Sequence, residues 1–307
     1  MSSKRIRQQF ADTMLEIGQQ DPKLSVLIGD ISHFILQPFA KACPGRFYNV
    51  GICEPTIISM AAGLAKTGLY PVVHTIAPFI IERSFEQIKL DFCYHGLAGN
   101  IITVGSAFDY SNLGCTHHCY DDFALMKSLP RTQVVYPASA IEFDLLFRET
   151  YRNDLVTLFR LPEYQHEQVI DPSRIKFGKA IRLVEGSDLT IIAAGPQLKN
   201  AVLAAQQLKT QSKSAEIIYI PTIHPLDAAT IHQSVAKTKR VIVVEEHNVF
   251  GGVADDVRRI VGDISGVKLI SLGIKGLVRD YGTYEELCAG VGLSVEGILK
   301  AAGQSFL

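Results

Sequence analysis

The side chain best placed for chemistry is Glu54, in the stretch Gly51-Ile52-Cys53-Glu54-Pro55, where one apolar segment ends and an apolar helix begins at once. Proline is favoured at a first helical position because its missing N–H would be unpaired there, and the residue before a proline is pushed out of the helical region. Glu54 therefore stands at the lip of a helix. Residues 56–65 are apolar on nearly every face, which suits a helix packed on all sides, so this carboxylate is expected to be partly buried. It is either an acid set against the helix macrodipole or a catalytic carboxylate that holds a proton, and the local sequence is compatible with both.

Further candidates lie just past apolar runs. His117 sits in a long loop, as a histidine bonded to backbone or as a proton-transfer group. Phe79 opens a helix after Ala77-Pro78, and Arg83 and Glu86 follow at a spacing that predicts a local ion pair. Arg160 ends a strand before Leu161-Pro162, as an anion binder or a solvated cation, while Asp30 and Ser32 at the first strand's end are turn formers or polar groups of a cleft. The cluster Cys115-Thr116-His117-His118-Cys119 has four potential ligands in five residues, but adjacent ligands rarely converge on one ion and the spacing matches no usual structural zinc arrangement.

The elements that must position these residues read as alternating helices and short apolar runs. Strands are expected at 24–28, 71–75, 100–105, 133–136 and 155–159, with helices at 6–17, 79–92, 121–129 and 138–151. Residues 162–176 lack periodicity and mark a break. The pattern restarts with strands at 189–195, 216–220, 240–245 and 267–272 and helices between them. Such runs indicate an α/β chain of two doubly wound domains: a larger, mostly parallel-sheet domain at 1–165, a linker at about 166–177, and a smaller α/β domain at 178–307. In such folds ligands bind beyond the carboxyl ends of the strands, where the candidates fall.

Composition narrows the partners. With 30 basic and 31 acidic residues the net charge is -1, which offers no global attraction to nucleic acid or an anionic membrane, so small molecules or proteins are expected. Charges interrupt every apolar stretch, so no membrane span is expected, and no apolar segment follows the basic residues 4–7 as a secretory signal would require. Six scattered cysteines in 307 residues fit reduced thiols in the cytoplasm. The phosphate loop, the dinucleotide fingerprint and the G-x-S-x-G elbow are all missing.

Taken in order, these residues resemble the C-terminal two domains of transketolases and 1-deoxyxylulose-5-phosphate synthases, over nearly the whole chain. The resemblance rests on Arg46-Phe47-Tyr48-Asn49-Val50-Gly51-Ile52-Cys53-Glu54 with Met60-Ala61-Ala62-Gly63-Leu64-Ala65. It continues in Gly114-Cys115-Thr116-His117-His118, in Ser128-Leu129-Pro130 to Pro137-Ala138, and in Val243 to Gly252. It implies a thiamine diphosphate pyrimidine-binding domain followed by a transketolase C-terminal domain. Glu54 would hold a proton at the pyrimidine N1′ of thiamine diphosphate, and Phe79 would stack on that ring. His117 would contact reacting oxygens, Arg160 a substrate phosphate, and Asp30 would approach the cofactor; Ser32 joins the substrate side of the cleft.

The resemblance is incomplete in instructive places. Leu113 stands where transketolases usually carry an acid, Gly105 replaces a histidine by ungapped count, and Pro55 replaces a commoner polar residue. The family's G-D-G…N motif for Mg²⁺ and the diphosphate has no counterpart: Gly29-Asp30-Ile31 and Gly262-Asp263-Ile264 lack the second glycine and the asparagine. A diphosphate needs a metal and backbone donors to neutralise it. The chain is therefore expected to be one subunit of a split transketolase, transferring a two-carbon ketol unit between sugars or sugar phosphates. A separate diphosphate-binding subunit would hold Mg²⁺, in an α2β2 heterotetramer. The alternatives are the β subunit of a 2-oxo-acid dehydrogenase or decarboxylating synthase, and a non-catalytic regulatory subunit of the same fold.

Overall fold

The computed structural model describes residues 4–306. Its strands are β1 (Leu24–Ile28), β2 (Phe47–Asn49), β3 (Tyr70–Ile76), β4 (Gly99–Val104), β5 (Thr132–Val135), β6 (Val156–Leu161), β7 (Ile181–Val184), β8 (Leu189–Ala193), β9 (Ala215–Tyr219), β10 (Thr222–His224), β11 (Arg240–Asn248) and β12 (Lys268–Ile274). They form a seven-stranded sheet in the order β10-β5-β6-β4-β3-β1-β2 and a five-stranded sheet in the order β12-β11-β8-β9-β7. All pairings are parallel except those of β10 with β5 and β7 with β9. The central strands β1, β4, β6, β8 and β9 are buried along their whole length, as continuous apolar runs between helical layers require. No helix of the described residues is long and apolar enough to cross a membrane.

Three short strands, β2, β7 and β10, are not among the expected elements, nor are the helices Gln37–Ala42, Tyr284–Gly290 and Val295–Ser305. β10 is the most consequential, because it follows the linker in sequence yet closes the edge of the first sheet against β5. The expected continuous helix at 79–92 is instead a wide π-turn at Pro78–Glu82, a short α-turn at Phe85–Gln87 and a second π-segment at Ile88–Tyr94. Such widened turns are concentrated at functional sites, where they redirect side chains.

The two sheets meet over a buried polar junction. Glu246 is fully buried and accepts hydrogen bonds from Tyr284, Gln197 (2.9 Å), Ser106 (3.3 Å) and Tyr136 (3.4 Å). Glu142 likewise accepts from the Ala138 amide (2.8 Å) and from Tyr219 of β9 (2.7 Å), with His166 at 2.6 Å. Buried carboxylates supplied with this many donors rigidify a junction where an unpaired one would disrupt it.

Candidate functional site

The helix Glu54–Lys66 begins at Glu54 itself, and the loop before it turns through Gly51 in the left-handed region at φ +83°. This leaves Glu54 only 1% exposed, while Ile52 and Cys53 beside it face solvent. Its side-chain partner is Arg83, whose Nη1 donates to Glu54 Oε2 across 2.9 Å. The expected Arg83–Glu86 pair is thereby corrected. The wide turn at Pro78–Glu82 and the non-helical Ser84 remove the regular spacing that would have set those two side chains on one face.

The same guanidinium lies over the half-buried Phe79 ring, 4.6 Å from its centroid. Phe79 in turn meets His117 edge-on at 5.2 Å, and Tyr110 meets the other side of His117 at 6.2 Å. Thr116 Oγ1 lies 3.0 Å from His117 Nδ1 and 3.3 Å from the Leu113 carbonyl, which ties the His117 ring to its own turn. Glu54, Phe79 and His117, separated widely in sequence, are brought into one cluster with Arg83.

Asp30 and Ser32 both adopt left-handed backbone, at φ +56° and +61°. Asn49 ties Asp30 to the Glu54 loop: its side chain donates to Asp30 Oδ1 (3.1 Å) and accepts from the amides of Asp30 and Gly51, both at 3.2 Å. Ser32 belongs to a different chain of contacts. Arg7 donates to its Oγ (3.0 and 3.2 Å), and Oγ lies 2.8 Å from His74 Nε2, while His74 Nδ1 lies 2.9 Å from the Ile102 carbonyl. Burial, with the Arg7 charge adding to it, lowers His74 to about 3 and keeps it neutral, so Ser32 donates to Nε2. Arg7 and Ser32 line a surface cavity of about 340 Å³ with Arg5, Phe34 and Glu163. Sequence reasoning missed Arg7, His74 and Tyr110; a histidine within the apolar run of β3 was the available signal.

Arg160 is enclosed where an open position was expected. The side chain expected to meet a substrate phosphate is fully buried, with Nη1 3.4 Å from Asp122 Oδ1 and Nη2 donating to the carbonyls of Glu246 (3.0 Å) and Cys119 (3.2 Å). Its guanidinium lies against the rings of Phe123 and Tyr136, each centroid at 4.7 Å, with the two ring centroids 5.5 Å from one another. Its Nε and Nη1 are buried without a hydrogen-bond partner among the described residues, so the end of β6 is enclosed and does not open into a cleft.

Residues 2–167 match the family model for the transketolase pyrimidine binding domain, and residues 178–298 that for the transketolase C-terminal domain. The chain is 32% identical over 300 residues to one of the subunits of the apulose-4-phosphate transketolase of Phocaeicola vulgatus, covering 96% of each. It is 31% identical over 303 residues to a putative transketolase C-terminal section of Methanocaldococcus jannaschii, covering 97% of this chain and 95% of that one. It is also 32% identical over 301 residues to the 1-deoxy-D-xylulose-5-phosphate synthase of Desulfitobacterium hafniense, covering 96% of this chain and 47% of the synthase. Among solved structures, a split gene transketolase described as an inactive beta4 tetramer superposes with a TM-score of 0.89 at 29% identity, covering 98% of this chain and 97% of that one. The chain therefore belongs to the transketolase family, as the section that carries its pyrimidine-binding and C-terminal domains.

Proposed function

We propose that this chain is one subunit of a split transketolase that transfers a two-carbon ketol unit between sugars or sugar phosphates, and that Glu54, Phe79 and His117 are its contribution to a thiamine diphosphate site. The observation that carries this reading is the Arg83 guanidinium, a planar N–H donor that stacks on Phe79 while donating to the buried Glu54 carboxylate. An aminopyrimidine protonated at N1′ is likewise planar and offers the same two contacts, so these residues fit the cofactor's ring. When bound, thiamine diphosphate supplies the carbanion chemistry and the electron sink.

The chain's own residues then have distinct tasks. Glu54 holds a proton at N1′ in a place that water reaches poorly. Phe79 fixes the ring plane, and His117, held by the Nδ1 contact with Thr116, exchanges a proton with a substrate oxygen. Asp30 borders the cofactor side through Asn49, and Ser32 with Arg7 borders the substrate side. The diphosphate and Mg²⁺ fall to a separate subunit, in an α2β2 assembly, since both Gly-Asp-Ile segments lack the remainder of the binding motif. The inactivity of a relative's beta4 tetramer supports the need for a different partner. Free thiols at all six cysteines fit a cytoplasmic setting.

The test is reconstitution with a partner chain bearing the G-D-G…N motif. Glu54→Gln is expected to lower kcat about a hundredfold or more, the range for losing a positioned acid–base group. Near wild-type turnover would overturn the assignment. Decarboxylation of pyruvate in place of ketol transfer would favour the alternative of a 2-oxo-acid dehydrogenase β subunit or decarboxylating synthase.

A further inference from the structure

The turn that aims His117 is gripped by the second sheet's domain at both of its ends. Gly114 opens the turn at φ +71°, and its carbonyl accepts the amides of His117 (2.9 Å) and His118 (3.2 Å). Against it lies the ring of Tyr281, from the loop at 275–282 after β12. A Cβ placed on Gly114 would fall 2.7 to 2.9 Å from that ring, closer than packing allows. At the far end Tyr120 is held twice: its carbonyl accepts the Asn248 amide (2.7 Å), and its hydroxyl accepts the Val278 amide (3.4 Å). His117 sits between these two grips, edge-on to Phe79 and Tyr110.

We propose that Tyr281 is a positioning residue for His117: it braces Gly114, and through the Gly114 carbonyl it sets where the His117 ring stands between Phe79 and Tyr110. The proposal rests on the reading of His117 given above for its consequence in catalysis, but not for its structural content. It also gives the C-terminal domain a part in the active site without any of its residues touching substrate. Tyr281 is 71% exposed, so its removal takes little from the hydrophobic core. This favours a role in holding the turn over one in general stability.

The experiment is NMR of the chain alone, labelled with ¹³C at its nine histidines. The His117 signal is identified by its loss in His117→Gln. In the wild-type chain its ring protons should show cross-relaxation to both Phe79 and Tyr110. Tyr281→Ala is expected to lose those contacts and move the His117 signal while leaving the buried His74 and His247 signals in place; Tyr281→Phe should retain the wild-type pattern. An unmoved His117 signal in Tyr281→Ala overturns the proposal, as does an equal shift of every histidine, which would mark a general structural role. Should Tyr281→Ala not fold, Tyr281→Leu is judged by the same outcomes. In reconstituted enzyme, full activity of His117→Gln would undo the catalytic reading of His117 but leave the brace standing, so the two can fail separately.

Discussion

Arg83 Nη1 lies 2.9 Å from Glu54 Oε2, joining a half-exposed cation to a carboxylate that is only 2% exposed on its side chain. Screening by solvent on the arginine side limits such a pair to about 1 kcal/mol. The cation–π contact with Phe79 adds a similar small amount at a partly exposed site. A ligand ring that makes both contacts itself can therefore displace Arg83 readily. Arg83→Ala should bind an isolated aminopyrimidine ring about five- to thirty-fold more tightly than the wild-type chain, since about 1 to 2 kcal/mol of competition is removed. Calorimetric titration checks this, with Phe79→Ala as the control that should lose binding; weaker binding by Arg83→Ala would mean that Arg83 holds the ring and does not compete with it.

Arg160 gives a sharper contrast between two roles. Removing it leaves Asp122 fully buried beside a cavity against Phe123 and Tyr136, and uncompensated buried charges of this kind cost about 3 to 5 kcal/mol. Arg160→Ala is thus expected to lower the denaturant midpoint strongly. An arginine that bound a substrate phosphate would instead raise KM for phosphorylated sugars and leave stability nearly unchanged. Urea melts beside KM measurements separate the two.

How much was legible in the sequence follows from what each feature depends on. Buried parallel strands such as β1, β4 and β8 announce themselves as apolar runs, because both of their faces are covered. β2 and β10 are three-residue edge strands whose existence depends on a neighbour's free edge and not on their own composition. Glu54 and Phe79 stand out because each lies just beyond an apolar run, while His117, well into the loop after β4, was marked by the resemblance of its Gly114–His118 segment. The Arg83–Glu54 pair spans 29 positions and depends on a widened turn that no local periodicity encodes. Arg160 was misplaced because a cation at a strand's end looks solvated until the second sheet is laid over it.

Gly195 tests how closely the two sheets fit. It follows β8 with φ +59°, and a Cβ there would lie 2.2 Å from the Tyr136 ring at the end of β5. Strain at positive φ and overpacking act together, so Gly195→Ala should destabilise by about 3 kcal/mol or more. Gly63, within the helix that Glu54 opens, has ordinary helical φ and nothing within 4 Å of where an added methyl group would sit. Gly63→Ala should therefore stabilise by about 0.5 to 1 kcal/mol. Thermal melts of the two variants are expected to move in opposite directions; a loss of stability in both would mean that the Gly63 face is not open.

His247 gives the junction an acid-sensitive contribution, opposed by the buried Asp109 and Glu245 carboxyls, which burial raises to about 7. It stacks on Phe123 at 4.8 Å, accepts the Ala124 amide at Nε2 (3.3 Å) and donates from Nδ1 to the Asn248 carbonyl (2.7 Å). Burial lowers it from 6.5 to about 3, with the Arg160 and Lys127 charges acting in the same sense, and His74 is lowered likewise. Between these values the unfolded chain binds a proton at each histidine that the folded chain does not. Stability from these sites is therefore complete above about pH 6.5 and is lost progressively as pH falls toward 3. From pH 7 to pH 4.5 each site should cost about 2 to 3 kcal/mol, from the value of one pKa unit. His247→Gln cannot titrate, so its deficit at pH 7 should shrink or reverse at pH 4.5 in urea melts. A difference from wild type that stays constant with pH would show that His247 does not enter the folded junction as the neutral ring.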